Sequence, residues 1–206
     1  MRTTIRVIVA ASVVALAAGV ARADDAKSAK PPMDPAKQAA MEKMMKLGSP
    51  SEAHKVFEPL AGNWTYTGQF WMDPASPPET MTGTGTNSLI YGGRFLKEEF
   101  RGQSPDQPPF EGTGYLGYDN IRKEYTSIWL DNMSTGVMIS TGQYDPATKS
   151  IAEKSDFSCP ITGETHRQAR AVWTIVDQNH NTYTSYMTAP DGHEFKAMEL
   201  RYTRTQ

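Results

Sequence analysis

A single cysteine stands in 206 residues, so no internal disulfide can tie the chain and its stability has to come from burial. Long basic patches are missing as well, which argues against nucleic acid as a partner. There is no Gly-x-Ser-x-Gly and no serine beside a convincing base, which excludes the usual hydrolase designs; Ser127, Ser134 and Ser140 read as ordinary strand or loop serines. The four histidines, His54, His166, His180 and His193, include no pair at the His-x-x-x-His spacing of a metal site. No uninterrupted apolar stretch is long enough to cross a bilayer as a helix.

The longest apolar run lies at the start. Arg2 and Arg6 precede an apolar segment from Val7 to Val20, and Ala21-Arg22-Ala23 follows as a small-x-small cleavage site. That is the plan of a secretory signal peptide over residues 1–23, and it predicts an exported protein, periplasmic or secreted, cleaved near Ala23. No cysteine follows the cleavage site to carry a lipid anchor, and no transmembrane segment is expected after cleavage. Removing residues 1–23 takes away three arginines and no acid, which leaves 18 basic against 23 acidic side chains and a formal charge of −5. The remaining length fits one domain with a sizeable core.

Residues 24–32, "DDAKSAKPP", are polar and proline-terminated and read as a disordered tether. Residues 33–61 carry signals for one or two short α-helices. Asp34-Pro35 is a cap followed by a first-turn proline, and Gly48 is a stop. Ser49 and Glu52 stand three apart as a capping box for a second helix, whose Ala53, Val56, Phe57 and Leu60 share one face. Met41, Met44 and Met45 follow the i, i+3, i+4 spacing of a buried stripe; thioether binding of Cu(I) is the alternative use of such a cluster.

From Trp64 onward glycine, threonine, tyrosine and tryptophan dominate and the apolar period falls to two. About ten strands are predicted, near 62–72, 80–91, 93–101, 112–119, 122–131, 136–144, 148–157, 166–176, 181–189 and 193–204. The connections are short, hence antiparallel. "YDNIRK" (118–123) and "YDPATK" (144–149) share Tyr-Asp-x-x-x-Lys, so Asp119 and Asp145 read as turn-makers rather than catalysts. "DQNHNT" and "APDGHE" are further hairpin turns, and Gly112, Gly114 and Gly117 suit a strand that bends or is closely approached. A sheet of this many strands tends to curl and close, which removes its edges. The predicted fold class is therefore mainly β: a closed antiparallel barrel over residues 62–206, with a two-sheet sandwich as the alternative.

Two resemblances sharpen this. Gly62-Asn63-Trp64, directly after a short helix and opening the first strand, resembles the Gly-x-Trp start of lipocalins and other calycin barrels, in which the tryptophan plugs the closed end. The series "LAGNW", "YGGRFLKEEFRG", "FEGTGYLGYDNIRKEYTSIWLDNMSTG", "GQYD" and "DGHEFKAMELRYTR", in this order, resembles the bacterial family catalogued as domain of unknown function 1579, from about Ser51 to the C-terminus. The resemblance implies a calycin-like barrel and no particular reaction. Some calycin-like barrels hold haem through one histidine near the C-terminus, where His193 stands; no other feature calls for a cofactor.

One constellation could carry chemistry. Arg94, Leu96, Glu98 and Phe100 share one face of their strand and Phe95, Lys97 and Glu99 the other, so either face brings an ion inward. Asp131 shares a face with Trp129, Ser127 and Tyr125. Arg94, Glu98, Glu99, Tyr115, Trp129 and Asp131 are thus the candidate ligand contacts, since an interior ion is costly unless paired. Trp64, Tyr66, Tyr115, Trp129 and Trp173 would supply apolar wall. The first expectation is a barrel that binds a small hydrophobic or amphipathic molecule. The alternatives are proton transfer by Arg94, Glu98 or Glu99 and Asp131, or an interaction module whose helices dock on a partner or plug the barrel. An internal salt bridge from Arg94 is the purely structural option. Cys159, in "FSCPITGE", reads as a partly covered, inert thiol unless a cation lies beside it, His166 being the nearby candidate.

Overall fold

The computed structural model describes residues 33–104, 108–189 and 191–205. The predicted signal peptide and tether lie outside them. The ten strands form one closed ring in the order β1-β10-β9-β8-β7-β6-β5-β4-β3-β2. They are β1 (Gly62–Phe70), β2 (Glu79–Ile90), β3 (Phe95–Gln103), β4 (Phe110–Asp119), β5 (Glu124–Asp131), β6 (Met138–Asp145), β7 (Ser150–Phe157), β8 (Arg167–Ile175), β9 (His180–Thr188) and β10 (Glu194–Arg204). Every neighbour is antiparallel, and β1 closes on β10 from Trp64 opposite Arg204 to Phe70 opposite Met198. The barrel is therefore correct and the sandwich is not.

The two ends differ. Four-residue turns join β2–β3, β4–β5, β6–β7 and β8–β9 at one end, while the longer connections 71–78, 132–137 and 158–166 lie at the other. The short-turn end is sealed. Trp64 is buried there, with its indole N–H donating to the Leu60 carbonyl at 2.9 Å. Phe57 and Leu60, both wholly buried, pack with Leu96, Leu116 and Ile175 in the same cluster. Arg204, which sequence inspection did not single out, stacks its guanidinium over Trp64 at 4.2 Å and donates to the carbonyls of Gln178, Ala61 and Pro59.

Phe57 and Leu60 come from a 3₁₀ helix, η1 (Glu52–Leu60), rather than an α-helix, and it contains Pro59, which has no N–H to continue an α-helical ladder. Its cap is Ser51 with His54, not Ser49 with Glu52: the Ser51 N–H donates to Nδ1 of His54 at 3.0 Å. His54 is itself buried, edge-on to Phe57 and Tyr118.

Helix α1 (Pro35–Gly48) starts as read, with Asp34 Oδ1 accepting from the Ala36 N–H at 2.7 Å. The stripe expectation fails, because no residue of α1 is buried and Met41, Met44 and Met45 are 41, 63 and 59 % exposed. The barrel closes on itself and η1 fills its end, so no side chain of α1 is buried against it; its C-terminus is tied by Asn120 donating to the Leu47 and Ser49 carbonyls and by Arg94 donating to that of Gly48.

The two Tyr-Asp-x-x-x-Lys connectors match. Asp119 Oδ1 accepts from the Ile121 and Arg122 N–H groups, Asp145 Oδ1 accepts from Ala147, and Lys123 and Lys149 both sit at positive φ, 61° and 51°. A side chain is strained in that region and glycine is not. Lys149→Gly is expected to raise stability by about 0.5 kcal/mol despite the added unfolded-state entropy. Denaturant unfolding checks this; a loss of stability would show that the turn is relaxed as it stands.

Candidate functional site

Alternation along each strand sends every second residue into the lumen. On β1 these are Trp64, Tyr66 and Phe70; on β3 they are Leu96, Glu98 and Phe100, while Phe95 and Glu99 face out. Glycines opposite the large rings make room for them: Tyr66 lies where a Cβ at Gly83 or Gly102 would stand, and Trp129 covers Gly112. In Gly112, Gly114 and Gly117 it is thus rings and a carboxylate that come close, not another backbone.

Two carboxylates stand in the middle of the lumen. Glu98 on β3 is 5 % exposed, and Glu153 on β7, between the inward-facing Ile151 and Ser155, is 9 % exposed. Burial pushes the Glu98 carboxyl up to about 8, and the charge of Glu153 adds to the rise. Burial also raises Glu153, opposed by a hydrogen bond from the Ser127 hydroxyl. Across the lumen, burial raises Tyr183 and Tyr202, with Glu153 and Glu98 adding to the first and Glu98, Tyr183 and Tyr66 to the second. Oε1 of Glu98, Oε1 of Glu153 and the Asn181 amide nitrogen are buried without a hydrogen-bond partner. No salt bridge reaches either carboxylate among the described residues.

The six predicted contacts are divided by this geometry. Glu98 and Trp129 lie inside, and Asp131 at the rim accepts from the Trp129 indole N–H and the Met133 N–H, both at 2.9 Å. Arg94 is not in the lumen. The β2–β3 turn ends before β3 begins at Phe95, so Arg94 points to the outside of the sealed end and donates to the Gly48 and Tyr91 carbonyls. Glu99 is paired on the outer wall with Lys97 at 2.9 Å. Tyr115 also faces out, since it stands opposite outward-facing Lys97 and Ile128. The proposed Arg94, Glu98 or Glu99 and Asp131 acid–base group therefore does not converge, and neither does an internal ion pair from Arg94. Of the other wall aromatics named from sequence, Trp64, Tyr66 and Trp173 do face inward.

Glu153, Tyr183 and Tyr202 were missed. Alternation over 148–157 places Glu153 beside Ile151, which is the one signal that could have found it.

At the long-loop end the lumen is less covered. Phe70, Met81, Phe110, Met138, Phe157 and Phe195 point inward yet are only half-buried. Arg167 lies at this rim, with Nη1 3.4 Å from the buried Cys159 sulfur and 3.6 Å from Glu164. Burial raises the Cys159 thiol, but hydrogen bonds from Thr162, Ile161 and Arg167 outweigh it and bring the thiol below its ordinary value. Its cation is thus Arg167 and not His166, whose ring is paired with Asp156. His193 stands in the β9–β10 loop at the same end, 86 % exposed beside Asp191. Two depressions, of about 270 and 400 Å³, open outside the lumen, one beside η1 and one on the outer wall of β1, β9 and β10.

A ten-stranded antiparallel ring, plugged by a Trp-Arg stack at one end and carrying polar groups in an aromatic lumen, defines a calycin-like barrel. The chain belongs to the family described as "Protein of unknown function (DUF1579)", which matches residues 49–204. No curated protein matches it in sequence. Among solved structures it is similar to Rv2717c from M. tuberculosis, with a TM-score of 0.57 and 17 % identity over 77 % of this chain and 100 % of that one. It is also similar to the S-type phycobiliprotein lyase CPES from Guillardia theta, with a TM-score of 0.53 and 11 % identity over 76 % of this chain and 94 % of that one. Identities this low show the shared fold.

Proposed function

We propose that this protein is exported and binds a small, partly apolar molecule in the barrel lumen, entering at the long-loop end. The observation that supports this most directly is the asymmetry of the two ends. Phe57, Leu60, Trp64 and Leu96 at the η1 end are at most 1 % exposed, whereas Phe70, Phe110 and Phe157 at the other end face inward and are only half-buried. A concave apolar wall with a few polar groups behind it is the usual build of a small-molecule site.

Titration with fatty acids, haem and a hydrophobic dye, read by tryptophan fluorescence and melting temperature, tests the reading. At least one probe is expected to bind and raise the melting temperature. Ala169 faces inward at the rim on β8, opposite Ser155 and Met187. Ala169→Trp is expected to weaken that binding at least tenfold while leaving the barrel folded. Binding unchanged in this variant, or no binding by any probe, overturns the reading. Export is tested separately by sequencing the N-terminus of the mature protein, which is expected to begin at Asp24.

A further inference from the structure

We infer that the lumen site takes a ligand with a cationic or multiple N–H donor group, seated between Glu98 and Glu153, with its apolar part toward the mouth. The inference rests on the lumen being the binding site and adds the chemistry of what enters.

The two carboxylates approach from different walls, Glu98 opposite Gly114 on β4 and Glu153 opposite Gly142 on β6. Both neighbours are glycines, and a Cβ at Gly114 would stand 2.8 Å from Glu98 Oε2. Each carboxylate is more than nine-tenths buried, and each has an oxygen with no donor. A buried acceptor without a donor is costly, and a carboxyl without a counter-ion stays protonated there until a seated cationic group draws it into the ionised form.

Among the described residues the barrel supplies no cation to them. Arg204 is committed to three carbonyls at the sealed end, and Arg167 to Cys159 and Glu164 at the rim. The groups facing the pair from β1, β9 and β10 are the phenols of Tyr66, Tyr183 and Tyr202, and from β5 the Ser127 hydroxyl. These hydroxyls add no positive charge. An anionic head group would meet two acids in a dry space, whereas an ammonium, amidinium or pyrrole-type N–H group would satisfy the orphaned oxygens.

The test uses three probes that differ only in head group: naphthylmethylamine, its N-acetyl amide and naphthylacetic acid, titrated into the full-length mature protein near neutral pH. The amine is expected to bind at least tenfold more tightly than the amide, and the acid weakest. Glu98→Gln and Glu153→Gln, with folding checked by circular dichroism, are each expected to reduce the preference for the amine while leaving amide affinity within about twofold. Amide or acid binding as tightly as the amine would overturn the inference and leave lumen binding standing. Failure of all three to bind, together with the lipids and dyes above, would overturn both. If one glutamine variant does not fold, the other and the wild-type probe series still decide.

Discussion

Raising the pH from 4.5 to about 8 is expected to cost the folded barrel roughly 4–5 kcal/mol through Glu98 alone, and Glu98→Gln is expected to abolish that loss. In the unfolded chain the carboxyl ionises near its ordinary value, whereas in the lumen burial and the nearby Glu153 hold it neutral up to about 8. A carboxyl whose pKa is raised on folding contributes its stabilisation fully below the unfolded value. That contribution falls as the pH climbs through the window and is gone above the folded value.

Glu153 is shifted in the same direction and steepens the decline. His54 works the other way, since burial and the Arg94 charge lower its pKa, so its contribution falls as the pH drops. Comparing the variant with the wild type cancels His54 and isolates Glu98. Urea unfolding at about pH 5, 7 and 9 is expected to show Glu98→Gln close to wild type at the lowest pH and several kcal/mol more stable at the highest. Parallel curves for the two proteins would contradict an uncompensated buried carboxylate.

Arg204→Ala is expected to destabilise the protein by about 3–5 kcal/mol. The guanidinium donates to the Pro59 and Ala61 carbonyls at 2.6 Å and the Gln178 carbonyl at 2.7 Å, which joins η1, the start of β1 and the β8–β9 turn. Removal leaves those acceptors unpaired, uncovers a face of Trp64 and loses a cation–π contact worth about 1 kcal/mol. Arg204→Lys is expected to recover less than half, because an ammonium cannot reach three divergent acceptors with a planar fork. Gly62 belongs to the same seat, with φ at 130° and the Arg204 guanidinium where a Cβ would be. Denaturant midpoints with unchanged slope would measure the effect, and a loss under about 1 kcal/mol for Arg204→Ala would mean that η1 seals the end without it.

All ten strands were legible from period-two patterning and turn chemistry, with ends differing by a few residues. Asp119 and Asp145 were assigned correctly because a local motif fixes a local turn. Patterning also grouped Leu96, Glu98 and Phe100, and Tyr125, Ser127 and Trp129, on common faces. It cannot say which face looks inward, nor whether a residue four positions back still belongs to the strand. Arg94 shares the parity of Glu98, and the β2–β3 turn removes it from the lumen. The α1 methionines failed for a related reason: helical spacing describes a stripe but not whether a partner exists for it.

Chain-local physics therefore determined the strands, the connector turns and the presence of inward charge, and the resemblance to calycin barrels supplied the plug tryptophan. Ring closure decided the rest, because only closing β1 onto β10 sets Arg204 against Trp64 and brings β3 and β7, far apart in sequence, to opposite walls of one lumen. The meeting of Glu98 and Glu153 without a counter-ion is a property of that closure, since neither strand records what the other will face.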